Sequence, residues 1–506
     1  MALHTFAAID IGSYNISMEI FEISKNSGLR SLNRVWCRLE LGADTFDHKI
    51  ISSKRIKELI VILNDYKRIM AEYGVVDYRA CAKSALREAK NCLLILESVR
   101  QSTGINIEVL SNSEQRFIGY EAIASKGSEF RQYIEKGTAI IDLGGGSVQV
   151  SLFDKDALVT TQNMQLGSLR MREKLSEIGS RVRHYDEVVE QFIMRDISHF
   201  KKMYLGTRKI QNVILVGDYF TNLIFQNRTD DSKIESRQEF MDWYQQIITK
   251  TPAELAEELQ VDEQMSSVVI PSAILYRCLI DELGADTIWL PGIQLTDGIA
   301  YHYAKKQKLI RQDHDFEKDI ILAAGHMSER YGGNKKHTDY VENLADKIYK
   351  SLKKTGHLDS RDRLLLRVAA TLHDCGKYIS MVDSARCAYQ IIMSTEIIGL
   401  SDLEREMIAE IILYNDKTFD FATDKNADPS VYMRVARLAA ILRVANALDK
   451  GHRQKFKDIT VSRKEDKLII AGKAMENGDL EAGYLEGRKV FFEEVFGLQI
   501  VFKAKS

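Results

Sequence analysis

The stretch FAAIDIGSYNISMEIF at positions 6–21 returns 132 residues later as TAIIDLGGGSVQVSLF at positions 138–153. Laid over each other without a gap, Asp10 falls on Asp142, Gly12 on Gly144 and Ile16 on Val148. Each copy is an apolar run ending in Asp-x-Gly, then a loop of small residues, then the alternation of a returning strand. That pattern predicts strand, tight turn and antiparallel strand, twice. A chain so duplicated is expected to build two similar halves whose loops face each other across a cleft. Glycine lets backbone N–H groups approach a phosphate closely, and the Asp can hold Mg²⁺ or its water shell. One copy would equally describe an ordinary hairpin turn. Two copies in register, the second carrying Gly-Gly-Gly-Ser, point to a phosphate clamped from both sides.

The 506 residues exceed one ordinary domain, and 45% hydrophobic with 28% charged residues suits a globular chain with ample core. A formal net charge of −2 gives no global attraction for nucleic acid or anionic lipid, so any phosphate binding has to be local. Six scattered cysteines without a C-x-x-C pair read as reduced thiols of a cytoplasmic protein. The start MALHTFAAID runs straight into a strand, and no segment reaches the ~18 apolar residues that a spanning helix needs. Neither a membrane nor a sequence-specific nucleic-acid partner is expected.

Between the hairpins, Ile56, Leu59, Ile60, Leu63, Ile69 and Met70 recur at helical spacing. VDYRACAKSALREAKN and INIEVLSNSEQRFIGYEAIAS each read as a strand feeding a helix. Past the second hairpin come helical stretches over about 167–204, the strand NVILVG at 212–217, and more helix to about 285. From about 315 the texture is nearly continuous helix, and strand-like alternation returns from 457. The expected class is α/β, with halves at 1–125 and 126–305, a helical domain at 315–455 and a small β-containing subdomain at 456–506.

The two hairpins look like the phosphate loops of the actin-like ATPase superfamily. More closely, AAIDIGS, LELGAD, KSALREAKN, IEVLSNSEQRFIGY, IIDLGGGSVQV, QLGSLRMRE, PGIQLTDG and LHDCGK, in that order, resemble the exopolyphosphatase/guanosine pentaphosphate phosphatase (Ppx/GppA) family over essentially the whole chain. The resemblance implies two duplicated actin-like (ribonuclease H-like) half-domains, then an all-α HD-like domain and a small C-terminal α+β subdomain. It further implies a Mg²⁺-dependent phosphoanhydride hydrolase, working as a homodimer, that releases terminal orthophosphate from inorganic polyphosphate or guanosine pentaphosphate. Residue by residue, it assigns Asp142 to the metal and Gly144, Gly145, Gly146 and Ser147 to the terminal phosphate. Asp10, Gly12 and Ser13 form the opposite loop, and Arg87 neutralises phosphate oxygens through its forked guanidinium. Glu114 is assigned to activating the attacking water. The family pattern Ser-Gly-x-Glu-Glu-Ala-Arg permits two alignments here. Without a gap its second Glu falls on Gln115; matching Arg116 with one loop residue deleted puts it on Glu114, the choice adopted. Taken alone, Glu114 also reads as an acid of a helix's first turn.

The chain departs from the family pattern at Gln149 for a Glu, at Tyr14 for an Asn, and in VGDYFTN, where Asp218, Tyr219 and Phe220 follow Gly217. These departures disfavour a snug ATP site and leave open a catalytically weakened sensor of polyphosphate or an alarmone. In the helical part, His337, His373 and Asp374 match an HD-type metal-ligand set, a possible second metal site. Asn446 stands where that set's last Asp is expected, and Arg386 and Asn415 where further histidines would be. Two readings follow, an HD-type phosphohydrolase or a degenerate HD fold used for packing and dimer contacts. The run KKQKLIRQ at 305–312 reads as a solvated face or as a guide for a polyanion.

Overall fold

From Phe6 to its last residue, β1 (His4–Ile11) is buried, and β2 (Asn15–Ser24) is buried over most of its length. Their apolar runs therefore need cover on both faces, as central strands of an α/β sheet do. β1 pairs antiparallel with β2, β2 antiparallel with β3 (Gly28–Arg38), and β1 parallel with β4 (Asp77–Ala82), which is followed by β5 (Ile107–Val109). The sheet order is β3-β2-β1-β4-β5.

The second half repeats the plan. β6 (Thr138–Leu143), β7 (Val148–Asp154) and β8 (Ala157–Met164) form an antiparallel meander, and β9 (Asn212–Gly217) lies parallel to β6. With β10 (Ile234–Ser236) and β11 (Thr287–Trp289), the order is β10-β11-β9-β6-β7-β8. Even the register repeats. Asp10 pairs with Ser17 and Asp142 with Gln149, the same pairing shifted by the offset of the two sequence copies. The predicted helix after the first hairpin spans Ser53–Glu72 and buries Ile56, Leu59, Leu63, Tyr66 and Met70.

The chain forms two compact units, Met1–Asp315 and Phe316–Ser506. The computed structural model describes all residues except 1–3, 26–27, 180–184, 218–233, 260–265, 311–313, 354–356, 421–427 and 506. The altered loop at Asp218, Tyr219 and Phe220 thus lies outside the described residues. Among the described residues of the second unit, six α-helices from Phe316–Arg330 to Pro429–Ala447 precede a three-stranded sheet. Its strands are β12 (Phe456–Lys464), β13 (Lys467–Ala474) and β14 (Gln499–Lys505). Phe456, Leu468, Ile470 and Phe492 share one buried core with those helices, and Tyr340 donates to Phe456 O at 2.7 Å. No described helix is long and apolar enough to cross a membrane.

Candidate active site

Both repeated loops close with the same bond. Gly12 N–H donates to Asn15 O at 2.9 Å, and Gly144 N–H to Ser147 O at 3.0 Å. Close approach demands glycine at Gly12 and Gly146, while Gly145 is in tight contact. A Cβ on Gly12 would lie 2.9 Å from Asn15 O, one on Gly145 3.2 Å from Ser13 Cβ, and one on Gly146 2.7 Å from Ser84 Oγ. The first loop and the second therefore pack against each other, Ser13 against Gly145. Ser13 Oγ and Ser84 Oγ are 3.0 Å apart. Tyr14, where the family pattern has Asn, is buried in the core of the second half.

The loops floor a cleft at the carboxyl ends of the parallel strands, where open α/β sheets place their ligands. Ser13, Lys83, Ser84, Asp142, Gly144, Gly145, Gly146, Ser147 and Gln149 line it from the strand ends. Gln115, Gly119 and Ala122 line it from the helix Asn112–Ala124, and Gln294 from the start of Leu295–Lys306. Asp10 is buried beneath, with Lys83 Nζ 3.0 Å from its Oδ2.

Of the site residues expected here, Asp10, Gly12, Arg87 and Glu114 are not among the lining residues. Glu114 is the third residue of its helix and completes a capping box. Its Oε2 accepts from Ser111 N–H at 2.9 Å while Ser111 Oγ accepts from Glu114 N–H at 3.1 Å. A carboxylate held by its own helix terminus is a cap, and its neighbour Gln115 is the residue of this turn that lines the cleft. Arg87 donates to Leu110 O at 2.6 Å and to Asn112 Oδ1, bracing the loop that precedes the helix. Lysine 305, expected on a solvated face, pairs with fully buried Glu121, which also bonds His302 Nδ1 at 2.7 Å. Gly298 of LTDG allows its helix to sit on Asn112–Ala124, since a Cβ there would come 2.2 Å from Ile118 O.

Residues 20–307 match the model of the Ppx/GppA phosphatase family, and residues 322–489 match that of Ppx/GppA phosphatase domain III. The chain belongs to the Ppx/GppA phosphatase family. It is 22% identical over 503 residues, 95% of either chain, to the guanosine-5'-triphosphate,3'-diphosphate pyrophosphatase of Vibrio vulnificus (strain YJ016). The structure of the Aquifex aeolicus family member superposes with a TM-score of 0.51 at 20% identity, covering 60% of this chain and 99% of that one. An exopolyphosphatase from Cytophaga hutchinsonii superposes with a TM-score of 0.52 at 17% identity, covering 60% and 99%. The two halves thus have the actin-like fold of the Ppx/GppA proteins.

The domain III segment holds a second buried cluster. His337 Nδ1 lies 2.8 Å from Asp449 Oδ2, and His373 Nδ1 2.7 Å from Ala370 O. When each Nδ1 carries the proton, both Nε2 lone pairs face inward, 3.1 Å apart. His452 stacks on His337 with ring centroids 3.6 Å apart, and its Nε2 is 3.8 Å from Asp374 Oδ2. Ligand atoms of His337, Asp374 and His452 lie within 4.8 Å of one another. Burial, then the neighbouring His337, pushes His452 down to about 4. Burial raises Asp374, but His373 and Lys377 outweigh it and hold that carboxyl at about 2. A neutral His452 imidazole beside the Asp374 carboxylate is a protonation state that metal binding needs. The expected gap at Asn446 is filled from three residues on. Asp449, wholly buried, reaches His337.

Proposed function

We propose that the protein hydrolyses the terminal phosphoanhydride of a linear phosphate chain, inorganic polyphosphate first and guanosine pentaphosphate second, in the cleft of the first unit. The observation that carries this reading is the pair of loops in one register, Gly12 to Asn15 and Gly144 to Ser147, packed against each other below Asp142. Asp142 is the carboxylate among the described lining residues. One carboxylate suits Mg²⁺ shared with phosphate oxygens and water, and the bound ion would neutralise charge on those oxygens. The loop N–H groups and Ser13, Ser84 and Ser147 bind the terminal phosphate. Gln115 and Gln149 orient the attacking water through their amides. Phosphoryl transfer has a loose transition state that depends on placement and charge more than on a strong base.

Those two amides also favour a second reading, a protein that binds the chain end and turns it over slowly. Neither can accept a proton, and Glu114 is held in its cap. We further infer that domain III holds a divalent ion between His337, Asp374 and His452, with Asp449 orienting His337 as outer carboxylates do. Metal analysis of the purified chain and of His337→Ala tests this inference; equal metal content in both overturns it.

Orthophosphate release and product length, followed with both substrates in Mg²⁺, test the first reading. Stepwise shortening by one phosphate, lost in Asp142→Asn, is the expected result. Tight binding with no release favours the second reading, and neither binding nor release overturns both.

A further inference from the structure

A lysine lines the cleft, its ammonium paired with Asp10. Lys83 follows β4 directly, and its N–H donates to Ile11 O at 3.2 Å, continuing the ladder beside the end of β1. The side chain runs over the first loop, its Cε 3.5 Å from where a Cβ on Gly12 would stand. Its Nζ stops 3.0 Å from Asp10 Oδ2, with 8% of the lysine side chain and 9% of the aspartate exposed. Lys83 is among the residues lining the cleft and Asp10 is not, so a ligand there meets the lysine rather than that carboxylate.

The rest of the lining matters as much. Gln115, Gln149 and Gln294 are neutral, which leaves Asp142 as the carboxylate among the described lining residues for a polyanion to face. The Lys83–Asp10 pair is formally neutral, but in a site this shielded from water an adjacent ammonium still acts strongly on a phosphate oxygen and offers rotatable donors to it.

We propose that Lys83 is the resident cation of the cleft. Its ammonium, seated on Asp10, binds the phosphate chain directly, so the cleft takes up a short linear polyphosphate without a divalent metal. The proposal rests on the reading that this cleft receives a phosphate chain. Any Mg²⁺ shared with Asp142 is then needed for turnover and not for uptake.

Calorimetric titration of the full chain with inorganic tripolyphosphate, once in EDTA and once in Mg²⁺, tests it. The expected dissociation constants agree within about threefold. Lys83→Met is expected to weaken binding in EDTA by roughly tenfold or more, and Lys83→Arg to keep most of it. Because Lys83→Met leaves Asp10 buried without its cation, the double variant Asp10→Asn/Lys83→Met serves as the folding control and is expected to lose binding equally. Wild-type binding that needs Mg²⁺, or Lys83→Met binding as wild type in EDTA, overturns the proposal while leaving the cleft as the phosphate site. No binding of tripolyphosphate in either buffer would remove the cleft reading itself, and the proposal with it.

Discussion

Arg170 donates through Nη2 to both oxygens of Glu88, at 2.8 and 3.0 Å, while its Nε donates to Gly146 O at 2.7 Å. One buried guanidinium thus ties the backbone of the second phosphate loop to the first half of the domain. Its flat face lies over the Phe46 ring, 4.5 Å from the centroid. Arg170→Ala leaves a loop carbonyl and a carboxylate without their donor. It is expected to cost about 2–4 kcal/mol, at the lower end because Glu88 is partly exposed. Urea unfolding measures this, and Arg170→Lys should recover less than half, since an ammonium cannot make the fork.

The neighbours Glu114 and Gln115 should separate cleanly. Glu114→Gln keeps an acceptor in the capping box and should change stability by about 1 kcal/mol or less, with phosphate release unaltered. Gln115→Glu puts a carboxylate into the cleft and should raise release by about tenfold or more, within the reach of general-base catalysis. Release that falls in Glu114→Gln and is unmoved in Gln115→Glu would restore Glu114 as the base.

Gly119 sits in mid-helix, lines the cleft, and a Cβ on it would meet nothing within 4 Å. A side chain there costs the protein no clash and removes the helix penalty of glycine, about 0.8–1 kcal/mol relative to alanine. The room it keeps is therefore room for ligand. Gly119→Leu should hold or raise the unfolding midpoint while weakening polyphosphate binding by roughly tenfold. Unchanged binding would place the chain elsewhere in the cleft.

Asp297 caps the helix whose start lines the cleft, its Oδ2 accepting from Gln294 N–H at 2.7 Å. Burial, then the charge of Glu19, pushes its carboxyl up to about 6, against the pull of the Gln294 N–H and Arg34. The unfolded chain releases this proton near pH 4 and the folded chain only near 6. Stability from this group therefore falls as pH rises between those values and stays reduced above. Asp297→Asn keeps the acceptor without the charge. Relative to wild type it should gain nothing near pH 4 and about 1–3 kcal/mol above pH 6. Urea unfolding at pH 4 and pH 7 reads the difference, and a gap equal at both values would assign the effect to packing.

The halves were legible because strand periodicity is local and the copies stand at a constant offset, so Asp10, Asp142 and the glycines between strands fall into place by counting. The cleft walls were harder. Whether Glu114 or Gln115 faces the ligand depends on which side chain the helix terminus takes for its cap, and Ser111 takes Glu114. Lys83 stands in KSALREAKN beside the recognised Arg87. What makes it part of the site is the parallel pairing of β1 and β4, which no short window of sequence displays. Asp449 was overlooked at Asn446 because the chain leaves the helix Pro429–Ala447 between them, and the acid arrives past the helix end. His452, directly after Gly451, has no periodicity to mark it.

The central claim is that phosphate chemistry belongs to the two-loop cleft of the first unit. Orthophosphate release from long-chain polyphosphate by Asp142→Asn and by His373→Ala, set beside wild type under one Mg²⁺ concentration, tests it most directly. Release is expected to be abolished in Asp142→Asn and retained in His373→Ala. Release retained in Asp142→Asn and abolished in His373→Ala would contradict it and move the chemistry to domain III.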